Sequence, residues 1–133
     1  MQTILCIDDN PANLRLVGRI LVRGTPHAKL LTAQDGAGGL RRAFEREVDL
    51  ILLDVNLPDM QGEEFLSRLR NHAPTASTPV LMLSADATPS VIDHYLSLGA
   101  SGYLTKPFDI AHLLTAVAGL LKGVTPGLAW SGA

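Results

Sequence analysis

Apolar residues in this chain fall into short unbroken runs, separated by longer stretches in which they recur every three or four positions. Thr3 to Ile7 is a short run closed by two acids, which suits a strand buried on both faces. Asn10-Pro11 reads as an N-cap followed by proline in the first helical turn. That helix runs to about Arg23, where Gly24-Thr25-Pro26 stops it. Ala28 to Ala33 is a second strand, and Asp35-Gly36 turns into a helix to about Arg46, weakened by Gly38 and Gly39. Val48 to Leu53 is the central strand; a loop containing Pro58 and Gly62 then leads into a helix from Glu63 to Asn71. Thr78-Pro79 opens a fourth strand, Val80 to Ser84. Thr88-Pro89 caps a helix to about Leu98, closed by Gly99. Tyr103-Leu104 forms a short last strand, and Asp109 caps a final helix to about Lys122.

Five strand and helix units in alternation predict an α/β fold, a doubly wound parallel sheet with helices on both faces. Right-handed crossovers reduce its topologies to a few. Such sheets bind ligands at the carboxyl ends of their strands. The chain places its charges there: Asp8-Asp9 ends the first run, Asp54 follows Leu53, and Lys106 follows the last run directly before Pro107. Three converging carboxylates repel one another and stay ionised together only around a cation. An all-oxygen cluster suits Mg²⁺, and the lysine is left to meet an incoming anion. A phosphoryl group suits Mg²⁺, a nucleophilic carboxylate and a lysine together.

The motifs are Ile7-Asp8-Asp9-Asn10, Leu53-Asp54-Val55-Asn56-Leu57-Pro58-Asp59-Met60-Gln61-Gly62, Leu83-Ser84-Ala85-Asp86 and Gly102-Tyr103-Leu104-Thr105-Lys106-Pro107-Phe108. In that order, over roughly residues 3–122, the chain resembles the receiver domain of two-component response regulators. The resemblance implies a flavodoxin-like (βα)5 sheet in the order 2-1-3-4-5, which brings Asp8, Asp9 and Asp54 together at the switch point. It implies Asp54 as phosphoacceptor, Asp9 as a direct Mg²⁺ ligand, Asp8 acting through a metal-bound water, and the Asn56 backbone carbonyl completing the metal site. Lys106 would contact a phosphoryl oxygen, with a cis bond to Pro107. Ser84 would donate its hydroxyl to the phosphoryl group, while Tyr103 turns inward as the second half of a switch. Each of these has an ordinary reading beside it. Asp8 and Asp9 fit helix capping, Ser84 a strand-end turn, Lys106 a solvated loop and Tyr103 a partly buried edge-strand ring. Asn56 and Asp86 each lie two residues beyond a site residue and are candidates for flanking the water that hydrolyses an acyl phosphate.

Length and composition narrow the classes. The chain has 133 residues, 47% apolar and 18% charged, which fits one globular domain: a receiver over 1–122 and a tail over 123–133 holding Trp130. A net charge of −2 gives no general attraction to nucleic acid. Cys6, the only cysteine, reads as a small core residue. No apolar stretch reaches membrane-spanning length and no signal-peptide pattern opens the chain, so a cytoplasmic location is expected. The four histidines form no metal set, and none fits a phosphorelay histidine by pattern.

Three functions compete. The first is a phosphorylation-driven signalling module, whose partners would be a histidine kinase or histidine phosphotransfer protein and a downstream protein target. It fits a stand-alone regulator or the receiver of a hybrid sensor kinase, and an unphosphorylated interaction module is its variant. A receiver catalyses its own phosphorylation and dephosphorylation without being a turnover enzyme. The second, an aspartyl-nucleophile phosphatase, needs a second Asp two residues on, where Asn56 stands. The third, a nucleotide- or flavin-binding domain, has no G-x-G-x-x-G or Walker A motif to support it. Arg15, Arg19 and Arg23 make a basic stripe on the first helix, which in the family helps dock the phosphodonor; a solvated face explains it equally well. The last helix has almost no charge before Lys122, which suits cover by a partner or a second copy of the chain.

Overall fold

The computed structural model describes residues 1–123; the rest of the tail, with Trp130, lies outside the described residues. Five strands, β1 (Thr3–Ile7), β2 (Lys29–Ala33), β3 (Leu50–Asp54), β4 (Val80–Ser84) and β5 (Gly102–Thr105), form one parallel sheet in the order β2-β1-β3-β4-β5. Five helices connect and follow them: α1 (Pro11–Gly24), α2 (Gly36–Glu45), α3 (Gly62–Arg70), α4 (Pro89–Ser97) and α5 (Ile110–Leu121). The predicted alternation is therefore present in full, and the strand order is the one the resemblance implies.

Strand alternation divides the interior in two. Leu5 and Ile7 of β1 join Leu40 of α2, Phe65, Leu66 and Leu69 of α3 and Tyr95 of α4 on one face. Ile4 and Cys6 join Leu14, Val17 and Leu21 of α1 and Leu113, Val117 and Leu120 of α5 on the other. Cys6 is a core residue as expected, and burial pushes its thiol up to about 12, which keeps it inert.

Several boundaries move, each for a local reason. The central strand begins at Leu50, because Asp49 is occupied with Thr3: its N–H donates to the Thr3 carbonyl and its carboxylate accepts from the Thr3 N–H. That strand ends one residue later than the apolar run, since Asp54 is paired with Leu83 of β4. Asp54 is thus anchored by the ladder itself. Thr88 stands at the N-cap position of α4, but its side chain makes no cap bond there; instead the Asp86 carboxylate accepts from the Thr88 N–H. Gly39 weakens α2 only on paper: a Cβ there would collide with Ile7 of β1, so the glycine lets the helix lie close on the sheet. The chain also folds a short 3₁₀ turn, Ala73–Thr75, that the pattern did not foretell.

Candidate functional site

The carboxyl ends of β1 and β3 are neighbours, so the acids that close them meet. Asp8, Asp9 and Asp54 each offer an oxygen within 4.8 Å of the others. Asp8 and Asp54 are buried, while Asp9 faces solvent. Lys106, after β5, reaches across to 3.3 Å from Asp54 Oδ2 and 3.4 Å from Asp8 Oδ2. The Lys106–Pro107 peptide bond is cis.

Each buried carboxylate is held by named donors. The Asn10 N–H donates to Asp8 Oδ1 at 2.9 Å, and the Asn13 side-chain amide to Asp8 Oδ2 at 3.2 Å. The Asn56 N–H donates to Asp54 Oδ1 at 3.0 Å. Burial nevertheless raises the Asp54 carboxyl above its ordinary value, opposed by the Asn56 bond and by Lys106 and reinforced by Asp8. One lysine facing two buried carboxylates and a third acid at the rim leaves an excess of negative charge, which a hard divalent cation would balance. Helix capping does not explain the acids at the start of α1, since Asn10 is its N-cap and its side chain accepts from the Ala12 N–H.

The loop after β3 is braced from a distance. Asp59 accepts from the Gly36 N–H at 2.7 Å and the Ala37 N–H at 2.9 Å, so it caps α2 together with Asp35, which accepts from Gly38. Those backbone bonds hold the Asp59 carboxyl below its usual range. Asn56 pairs with Gln61 across the same loop. Asp59→Ala is expected to cost about 1 kcal/mol of stability, read by urea unfolding; an unchanged midpoint would show that Asp35 alone suffices.

Ser84 and Tyr103 lie beside this site. Ser84 is buried at the end of β4, and its Oγ accepts from the Asp86 N–H at 3.1 Å. Tyr103 is fully buried, so its ring already lies inward, deeper than the partly buried edge-strand ring of the ordinary reading, and its hydroxyl donates to the Asp86 carbonyl at 2.8 Å. Asn56 and Asp86 are both exposed at the mouth, although the Asp86 carboxylate is engaged with Thr88. Asn13 and Asp59 are the residues sequence reasoning missed; only their short spacing from Asp8 and Asp54 pointed toward the site.

Arg15, Arg19 and Arg23 line one groove with Val22 of α1 and with Ile110 and Leu114 of α5. No helix among the described residues is long and apolar enough to cross a membrane.

Known proteins match this arrangement. The family model for the response regulator receiver domain matches residues 4–118. The chemotaxis response regulator CheY4 of Vibrio cholerae superposes with a TM-score of 0.83 at 32% identity, covering 90% of this chain and 98% of that one. The transcriptional regulatory protein KdpE of Mycobacterium tuberculosis is 37% identical over 123 residues, 92% of this chain but 52% of its own length. The histidine kinase BarA of Escherichia coli is 35% identical over 81% of this chain and 12% of its own length. The chain thus spans about half the length of the first of these curated relatives and a small part of the other. With the order 2-1-3-4-5, the three converging acids and the reaching lysine, the chain belongs to the response regulator receiver domains of two-component systems.

Proposed function

We propose that Asp54 is the phosphoacceptor, taking a phosphoryl group from the phosphohistidine of a kinase or phosphotransfer protein in a Mg²⁺-dependent step. The observation that carries this is the meeting of Asp8, Asp9 and Asp54 within 4.8 Å, with Lys106 at 3.3 Å from Asp54. Asp9 and Asp54 would hold Mg²⁺ with the Asn56 carbonyl, and Asp8 through water; the ion, when bound, neutralises charge on the phosphoryl oxygens. Asp54 Oδ supplies the electron pair that forms the new P–O bond as the P–N bond to histidine breaks, and the imidazole leaves with that bond's electrons. Lys106 compensates charge on a phosphoryl oxygen, and the Ser84 hydroxyl donates to it. Reversal by water makes the domain a switch with a lifetime rather than a turnover enzyme, with Asn56 and Asp86 flanking that water.

Docking of a histidine-bearing helix fits the groove between α1 and α5, where three arginines border exposed Val22 and Ile110. The same face would serve a second copy packing through the last helix, or a downstream target. A cytoplasmic setting belongs to the same reading. Intact mass after incubation with Mg²⁺ and a small phosphodonor is expected to show one added phosphoryl group, absent without Mg²⁺ and absent in Asp54→Asn. A folded protein that gains no mass even from a histidine phosphotransfer donor would favour an unphosphorylated interaction module.

A further inference from the structure

The charges of this chain are unevenly placed. Residues 11–46, which form α1, β2 and α2, hold seven of its 11 lysines and arginines but only two of its 13 acids, Asp35 and Glu45. That segment carries +5 and the rest of the chain −7. None of the seven belongs to an ion pair among the described residues. Three of them, Arg41, Arg42 and Arg46, are exposed and line a groove of about 510 Å³ between α2 and the end of β2, with Thr32, Gln34 and Glu45. The strand beside them has a free side. β2 is the margin of the sheet and pairs with β1 alone. The Lys29 N–H donates to the Gln2 carbonyl, and the Ala33 carbonyl accepts from the Asp8 N–H. In a parallel ladder one residue in two turns both its backbone groups to a given neighbour. Lys29, Leu31 and Ala33 therefore face β1, and Leu30 and Thr32 turn their N–H and C=O groups outward.

We propose that this edge is a docking site for an extended acidic segment of a partner protein, which adds to the sheet beside β2 and sets its carboxylates on the arginines of α2. An added strand supplies the partners that the Leu30 and Thr32 backbone groups lack within the sheet. The spacing of the charges agrees with an extended ligand. Arg42 and Arg46 stand about one helical turn apart, about 6 Å along the axis. Residues two apart in a strand share a face and are separated by about 6.6 Å. Acids at alternate positions of the segment thus meet Arg42 and Arg46 in turn, through charge-assisted hydrogen bonds. Pairing of β2 with β2 of a second copy would bring two +5 surfaces together, so the charges that attract an acidic strand keep like edges apart. The site uses none of the residues assigned to phosphoryl transfer, and it stands whether or not Asp54 accepts a phosphoryl group.

The probe is an acetylated and amidated peptide, Thr-Glu-Val-Glu-Val-Glu-Thr, titrated into the ¹⁵N-labelled full chain at low salt. The Leu30 and Thr32 amide resonances are expected to shift, with slowed hydrogen exchange at both. The double variant Arg42→Gln, Arg46→Gln is expected to bind about tenfold more weakly, with the rest of its spectrum unchanged. N-methylation of the peptide's valines, and separately of its glutamates, removes the backbone donors on one side of the strand at a time and keeps the charge. One of the two is expected to abolish the slowed exchange. Binding retained by both methylated peptides would overturn the strand pairing, and an unchanged affinity in the double variant would overturn the role of the arginines. No shift at millimolar peptide would overturn the proposal outright. Tighter binding of a single-stranded DNA of equal charge at the same residues would overturn it in favour of a nucleic-acid surface.

Discussion

Lys106→Met is expected to slow phosphoryl transfer to Asp54 by about 10²–10³-fold, the usual cost of deleting one preorganised group that meets developing charge. The ammonium stands 3.3 Å from Asp54 Oδ2 and 3.4 Å from Asp8 Oδ2, on a side chain only 25% exposed. Solvent therefore screens it little, and no second cation is within salt-bridge distance of Asp54 among the described residues. Methionine keeps much of the aliphatic stem and removes the charge. A second signature follows from the carboxyl group. Burial raises the Asp54 pKa, and Lys106 pulls it back down. Without Lys106 that pull is lost, and in the metal-free protein the carboxyl stays protonated to a higher pH. Single-turnover phosphorylation at saturating Mg²⁺ reads the rate, and NMR titration of the metal-free Asp54 carboxyl reads the shift. Lys106→Arg keeps the charge but not the compact ammonium, and should recover only part of the rate. A Lys106→Met rate within a few-fold of wild type would remove Lys106 from the chemistry.

What the chain reveals before folding depends on how far apart in sequence the partners lie. Strands and helices were legible because each has its own period, and the site was legible because strand ends carry its charges. Burial on the edges was not. β2 shows itself as an edge through exposed Lys29 and Thr32, whereas β5 is buried throughout although it too lies at an edge. Helices packed on both faces of β5 remove the signal, and for that reason the ordinary reading of Tyr103 as a partly buried edge-strand ring understates its burial. Asp59 looks like a loop acid until the fold sets it on Gly36 and Ala37, 23 and 22 positions earlier. Tyr95 likewise shows no local sign of its contacts, because Glu63 is 32 residues away and Tyr103 is on another element. Local pattern fixes which face a residue occupies, and only the assembled sheet decides what it touches there.

Asp54→Asn is expected to be the more stable protein without metal and the less stable one with it. At neutral pH the native Asp54 carboxylate is buried beside Asp8, and its pKa is raised. A raised carboxyl pKa means that the native state holds a proton which the unfolded chain has already released. Stability then falls as pH rises from the ordinary carboxyl value through the native one, and the full penalty is present above the native value. Asparagine cannot ionise, keeps an oxygen for the Asn56 N–H, and leaves Lys106 paired with Asp8. The gain should be about 1–2 kcal/mol, or roughly 4 °C in Tm for each kcal/mol, and should vanish at a pH below the ordinary carboxyl value. Mg²⁺ reverses the order. A cation that binds only the native site stabilises wild type by about 2.7 kcal/mol at a hundred times its Kd, while the variant, with one carboxylate fewer, gains far less. Thermal unfolding of both proteins across pH, with EDTA and with Mg²⁺, reads the crossing. Parallel curves in the two conditions would mean that Asp54 is not a metal ligand, and equal metal-free stabilities at pH 7 would mean that Lys106 already offsets its burial.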